Sequence, residues 1–310
     1  PKGISHYMEH VRFKGTPKYT AKDLLFKVAS CGGNWNAGTS EDTCCYYITI
    51  PEDNISVAFE CLDEIINHPS FPADELEKEK EVVCQEIRMY NDDIGTLVQE
   101  KMMRSIFQNS LETPIIGTEE SVNSITRDNL LDFDNEFYRS ENRLVVLCSS
   151  NDYSDLVEKH FGTPDDVLNW LPGTKSDYKS SAQEEVRKPG QLQHVIDVSF
   201  AGKLVDAVVE KEAEVSVFNK IFGSGDVSRL FLSVREDLGL VYGIGSAFGQ
   251  YMDGNVFSIG TQTEPENSDT VLKEIDRQID IMKSSLPTEE ELRCAKNNIK
   301  SLEYSLLDSS

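Results

Sequence analysis

The stretch Gly3-Ile4-Ser5-His6-Tyr7-Met8-Glu9-His10 decides how the rest of this 310-residue chain is read. Two histidines stand four residues apart, with a glutamate directly before the second. In a helix, His6 and His10 lie one turn apart on the same face, and Glu9 sits on its edge. Neutral imidazoles so placed can both reach one zinc ion, at Zn–N distances of roughly 2.0–2.1 Å. A carboxylate beside them can take a proton from a water activated there. The plainer alternative is a surface helix with a solvated histidine pair. The chain has only five histidines, and the crowding of two of them here favours the metal.

A catalytic zinc needs a third protein ligand and an open position. Residues 72–88, PADELEKEKEVVCQEIR, read as a long helix opened by Pro72 and acidic in its first turns. Most of its charges form a solvated face. Glu86 follows Val82 and Val83 at helical spacing and is expected to share their inward side, with Glu79 two turns earlier on that side. Two carboxylates there are costly to bury unless something cationic compensates.

The segments GISHYMEHVRFKGT (3–16), GGNWNAGTSEDTCCYY (32–47), EKEKEVVCQEI (77–87), PIIGTEESVNSIT (114–126), FYRSENRLVV (137–146) and SRLFLSVREDLGLVYGIGS (228–246) resemble the M16 family of zinc peptidases. This is the group of pitrilysin, insulin-degrading enzyme and the mitochondrial processing peptidase. The order H-x-x-E-H is the inverzincin pattern, the reverse of H-E-x-x-H. The resemblance spans nearly the whole chain, in the family's order and spacing. It implies one zinc per chain, held by His6, His10 and Glu86, the last 76 positions beyond His10. It implies that Glu9 is the general base and that Glu79 steadies the ligands. It also implies that Arg235 and Tyr242, seven apart, touch substrate near the scissile bond. Asn34, Asn36 and Ala37 fall in what resembles the family's exposed edge strand, to which an extended peptide adds as a further strand. For Trp35 in that strand, a core position is an equal alternative.

The implied activity is endopeptidase cleavage of extended peptides or unfolded segments. The alternative is a catalytically silent subunit that binds peptide or scaffolds a processing-peptidase-like complex. The family encloses substrate between two halves, and two domains make one half. A dimer is therefore expected, with a second copy or with an inactive relative. A structural zinc domain would want four closed ligands, and no fourth Cys or His has suitable spacing.

Composition narrows the class further. A net charge of −24 makes nucleic acid a poor partner, because phosphate binding needs clustered Lys and Arg. No apolar run reaches about 18 residues, so no membrane span is expected. The seven cysteines are odd in number and form no C-x-x-C. They read as free thiols, which suits a reducing, cytoplasmic setting. Cys84 should point away from the metal as a small buried group. The chain starts at Pro1, almost on top of the metal motif, so further sequence is expected before it and after Ser310.

The expected architecture is α+β, with two homologous domains, each a mostly antiparallel sheet with helices on one face. Residues 1–165 form the zinc domain, 166–190 a Pro-, Gly- and Ser-rich linker, and 191–310 a metal-free repeat. Within the first domain, Thr20 caps a helix that ends at Gly32-Gly33. Asn34–Thr39 and Thr43–Ile50 alternate as paired strands, and Arg143–Cys148 reads as another strand. In the second half, strand, strand and helix recur from Gly239 to Asn267, and Pro287 echoes Pro72. His68, His160 and His194 are assigned structural roles.

Overall fold

In the computed structural model, residues 1–108, 110–162, 177–179, 183–203, 205, 211–252 and 254–308 are described. The histidine stretch is a helix, α1 (Ile4–Arg12). Gly3 starts it at φ 80°, where a Cβ would lie 2.6 Å from the Ile116 carbonyl oxygen, so only glycine fits. Tyr7, Met8 and Val11 recur at helical spacing and are fully buried. They share a core with Val83, Cys84 and Ile87 and with Val122, Ile125 and Leu130.

After α1 come α2 (Ala21–Ser30), the hairpin β1 (Asn34–Thr39) and β2 (Cys44–Thr49), then α3 (Ile55–Asn67) and α4 (Ala73–Asp92). Thr20 and Asp23 close a capping box on α2, which satisfies backbone donors at its start. The hairpin is antiparallel, with Asn34 opposite Thr49 and Thr39 opposite Cys44. Leu24 and Val28 of α2 pack with Cys61 and Ile65 of α3, and Trp35, Tyr46 and Ile48 cover them from the hairpin. There follow α5 (Ile94–Ile106), α6 (Glu119–Asn123), α7 (Arg127–Phe137) and α8 (Ser154–Phe161).

The chain separates into two units. The first holds Pro1–Tyr90 and the chain from Thr113 through α8; the second holds Asn91–Glu112 and the later half. The stretch Asn91–Glu112, inside the expected first domain, joins the second unit for a packing reason. Met103, Phe107 and Leu111 are buried together, with Tyr178 and Tyr251 against them. Of the expected linker 166–190, residues 166–176 and 180–182 lie outside the described residues, and 183–190 form no regular element.

The second unit contains β3 (His194–Ala201), α9 (Glu212–Phe222), a π-helical segment (Phe231–Asp237), β4 (Val241–Tyr251), β5 (Gly254–Thr263), α10 (Ser268–Ser284) and α11 (Glu289–Asp308). Its sheet runs β3-β5-β4, all antiparallel. Phe222 of α9 and Val271 and Ile275 of α10 pack with Ile244, Phe257 and Ile259 of the sheet. The fold is thus α+β with antiparallel sheets, as expected. The two halves also share an order of elements. In both halves a hairpin leads through a single 3-10 turn, Glu52–Asn54 or Pro265–Asn267, into a long helix and then a second one.

Two expectations need correction. The run Arg143–Cys148 has the branched apolar composition of a strand but pairs with nothing among the described residues. Leu144 is 64% exposed and Val146 80%, because strand propensity takes effect only where a neighbouring strand supplies hydrogen bonds. Val82 is 46% exposed while Val83 is fully buried, so Val82 does not share the inward side of α4. No helix among the described residues is long and apolar enough to cross a membrane.

Arg12 fixes α1 from its last turn. Its side chain is fully buried, and Nη1 donates to the Ile65 and Ile66 carbonyls at 3.0 and 2.8 Å. These are carbonyls of the last turn of α3, which lack partners within that helix. The guanidinium also pairs with Asp134 and lies 3.5 Å from the centre of the Tyr138 ring. Substituting Arg12→Met strips three acceptors at once. It should cost about 2–4 kcal/mol, read as a lower urea midpoint with an unchanged slope.

Candidate metal centre

Packing of α1 on α4 brings the three ligand candidates together. Tyr7 Oη donates to the Leu76 carbonyl at 2.6 Å, which sets the two helices in register along their length. One donor atom from each of His6, His10 and Glu86 lies within 4.8 Å of the others. Glu86 Oε2 is 3.7 Å from His6 Nε2 and 3.5 Å from His10 Nε2. Both separations exceed an N–H···O hydrogen bond. The edge of a tetrahedron around zinc is about 3.3–3.5 Å for the usual bond lengths; the His10–Glu86 separation matches it and the His6–Glu86 separation is slightly longer. Two imidazoles and one carboxylate this close together are a donor set that could hold a zinc ion.

The protonation states suit ligation. Burial holds the His6 pKa below its ordinary 6.5, and His10 pushes the same way; Glu86 and Glu9 oppose them without winning. His6 is thus kept neutral, the form that binds metal. His10 Nδ1 lies 2.9 Å from Glu79 Oε1. An ionised carboxylate only accepts, so Nδ1 carries a proton, which leaves Nε2, the nitrogen facing Glu86, as the ligand atom of the neutral ring. Burial works to raise the Glu79 pKa. Hydrogen bonds from His10 and Lys14, and the charge of Lys14, overcome it and hold the carboxyl below the ordinary range. The cation that makes this buried carboxylate tolerable is Lys14, whose Nζ is 2.5 Å from Glu79 Oε2.

Glu9 is oriented by the hairpin. Thr39 Oγ1, at the end of β1, donates to Glu9 Oε2 at 2.5 Å and lies 3.4 Å from Cys44 Sγ. With the hydroxyl proton committed to Glu9, the Cys44 thiol is left to donate to Thr39. Tyr90 stands one turn beyond Glu86 on α4. Burial, then the charge of Glu86 and a hydrogen bond with it, push the Tyr90 phenol up. Cys84 is buried, accepts from Asn123 and plays no part in the ligand set.

Asn34, Asn36 and Ala37 lie on β1, whose only strand neighbour among the described residues is β2. Asn34 and Asn36 are exposed, and the Ala37 N–H donates to Asn36 Oδ1 at 2.9 Å. Trp35 faces the core instead, its ring edge-on to Phe13 with centroids 4.8 Å apart.

Arg235 and Tyr242 belong to the second unit and are near each other there. The Arg235 guanidinium lies 5.5 Å from the centre of the Tyr242 ring and 4.5 Å from that of Phe231. Tyr242 is 91% exposed. It occupies an irregularity in pairing between Val241 and Ile244, and such bulges re-aim a side chain out of the ladder.

Comparison with known proteins decides the family. The model for the insulinase family, peptidase family M16, matches residues 1–119, and that for the peptidase M16 inactive domain matches residues 124–299. The chain belongs to peptidase family M16. A Rickettsia bellii protein named as an uncharacterized zinc protease is 30% identical over 305 residues, spanning 96% of this M16 chain and 72% of its own. The Bacillus subtilis protein named uncharacterized zinc protease YmxG is 31% identical over 307 residues, spanning 96% and 73%. The fold matches the crystal structure of a Helicobacter pylori protease with a TM-score of 0.86 at 23% identity, over 98% of this chain and 75% of that one. It also matches the peptidase M16 inactive domain from Pseudomonas fluorescens with a TM-score of 0.84 at 19% identity, over 98% and 74%.

Sequence reasoning missed Lys14, Thr39 and Tyr90. Only Tyr90 had a local signal, its four-residue offset from Glu86 on one helix. If Thr39 positions Glu9, Thr39→Val should lower kcat roughly 10- to 100-fold, the worth of one hydrogen bond to a charged group. KM and zinc content should stay unchanged, and Thr39→Ser should restore turnover.

Proposed function

We propose that this M16 chain is a zinc-dependent endopeptidase acting on extended peptides or unfolded segments, with one zinc held by His6, His10 and Glu86. The observation that carries the reading is the convergence of these three donors beside Glu9. Zinc held there supplies a Lewis acid and lowers the pKa of a water toward ~7. The chain's own groups do the rest. Glu9 Oε1 is free of the Thr39 hydrogen bond, so it can accept the water proton and pass it to the leaving amine. Glu79 keeps the His10 Nε2 lone pair turned toward the site. Asn34, Asn36 and Ala37 would pair with substrate main chain at the outer edge of β1. Such pairing reads extension rather than sequence and suits broad specificity. An incoming strand that uses the Ala37 N–H would displace the Asn36 side chain. Arg235 and Tyr242 would steady the developing oxyanion or the adjacent peptide.

The remaining assignments follow the family. Residues 1–165, apart from the Asn91–Glu112 stretch that packs in the second unit, would act as the zinc domain, and 191–310 as the metal-free repeat that helps enclose substrate. A second copy or an inactive relative completes the chamber.

Metal analysis and cleavage of a quenched fluorogenic peptide test this reading. Wild type should hold one zinc and cleave. Glu9→Gln should keep zinc and lose at least about 100-fold in kcat. Equal behaviour of wild type and Glu9→Gln would establish the silent-subunit alternative instead. Tyr242→Phe tests the second unit's part. Turnover should fall about 100-fold with zinc retained; loss of zinc would contradict the role given to Tyr242.

A further inference from the structure

We infer that Lys14 is a positioning residue for the metal site, acting on the ligand His10 through Glu79; this rests on the zinc reading above. Three observations carry it. First, the two oxygens of Glu79 are divided between two partners. Oε2 is 2.5 Å from Lys14 Nζ, and Oε1 is 2.9 Å from His10 Nδ1. With one oxygen held by the ammonium, rotation of the carboxylate is blocked and the other oxygen stays aimed at the imidazole. Second, Glu79 is only 6% exposed. A carboxylate that deep needs its cation to remain both ionised and in place. Third, Lys14 sits on a pinned backbone rather than a loose loop. Its N–H donates to the Val11 carbonyl at 3.1 Å, and Thr16 N–H donates to the Tyr19 carbonyl at 2.8 Å. The next carbonyl, that of Gly15, accepts from both Ser70 N–H and Ser70 Oγ, just ahead of α4. The lysine is therefore fixed to the start of the helix that bears Glu79 and Glu86.

The chain of contacts runs Lys14, Glu79, His10, metal. Its role differs from simple charge balance in a way that can be measured. With the histidines neutral, Glu9, Glu79 and Glu86 carry three negative charges against one positive charge on Lys14. If Lys14 only adjusted the field, removing it would make the site more negative, and a divalent cation would bind as well or better. If it orients Glu79, removing it frees the carboxylate, loosens His10 and weakens binding despite the Coulombic gain.

The experiment is a double-mutant cycle on zinc affinity. Zinc-loaded chain is titrated with a chromophoric chelator for wild type, Lys14→Met, Lys14→Gln, Glu79→Gln and Lys14→Met/Glu79→Gln. Both Lys14 variants should bind zinc about tenfold more weakly than wild type, in the range seen for partners of metal-bound histidine. In the Glu79→Gln background Lys14→Met should change affinity less than twofold. Equal or tighter binding by the Lys14 variants, or a tenfold loss that persists when Glu79 is already Gln, overturns the assignment. If wild type holds no zinc that Glu86→Gln removes, the zinc reading itself fails and takes this inference with it.

Discussion

The site exists because α1 and α4 are locked at one register. Three side chains of α1, Tyr7, Met8 and Val11, are fully buried and share a core with Val83, Cys84 and Ile87 of α4. Apolar packing alone leaves sliding along the contact poorly determined, since burial is non-directional. The hydrogen bond from Tyr7 Oη to the Leu76 carbonyl supplies the missing direction. Arg12 then ties the far end of α1 to the end of α3 and to Asp134. With both ends of α1 fixed, His6 and His10 have no freedom to drift from Glu86. A ligand displaced by an ångström would no longer complete a tetrahedron, so rigidity here is a chemical requirement.

Charge is arranged around that frame with little waste. Burial would by itself raise the carboxyl of Glu79 toward neutrality, and Lys14 and His10 reverse that. Burial also keeps His6 neutral, so the same dryness that threatens the carboxylate favours the imidazole. Glu9, the proposed base, is held from another direction, by Thr39 at the end of β1. The strand proposed to take up substrate thus ends on the residue that orients the base. The proposed substrate pairing and the proposed base would then share one structural element.

The parts of this molecule that were legible in sequence are those written in local spacing. Two histidines and a glutamate within five residues declare a helix face. Thr20 with Asp23 declares a cap, and the alternation through Tyr46, Ile48 and Ile50 declares a half-buried strand. Glu86 could be narrowed to one helix, but its face was read through Val82, which proved exposed, and Val83, which is buried. Consecutive residues differ by about 100° around a helix, so a pair of valines brackets the core boundary without locating it. Lys14, Thr39 and Arg12 were invisible for a different reason. Each acts across tens of residues, and nothing in a single sequence says which lysine meets which glutamate. The bulge at Tyr242 and the run Arg143–Cys148, which has no strand partner among the described residues, depend on strand pairing, which propensity does not specify. The family resemblance supplied the long-range correspondences that spacing could not.

The central claim is that two imidazoles from α1 and one carboxylate from α4 share a single zinc. X-ray absorption at the zinc edge, on the protein loaded with one equivalent, tests it most directly. The account predicts a four-coordinate centre of nitrogen and oxygen only, with two imidazoles and bond lengths of about 2.0–2.2 Å. Replacing Glu86 with glutamine should remove one oxygen scatterer or release the metal. A sulfur shell at about 2.3 Å, or a spectrum unchanged by substitutions at His6, His10 and Glu86, would contradict it.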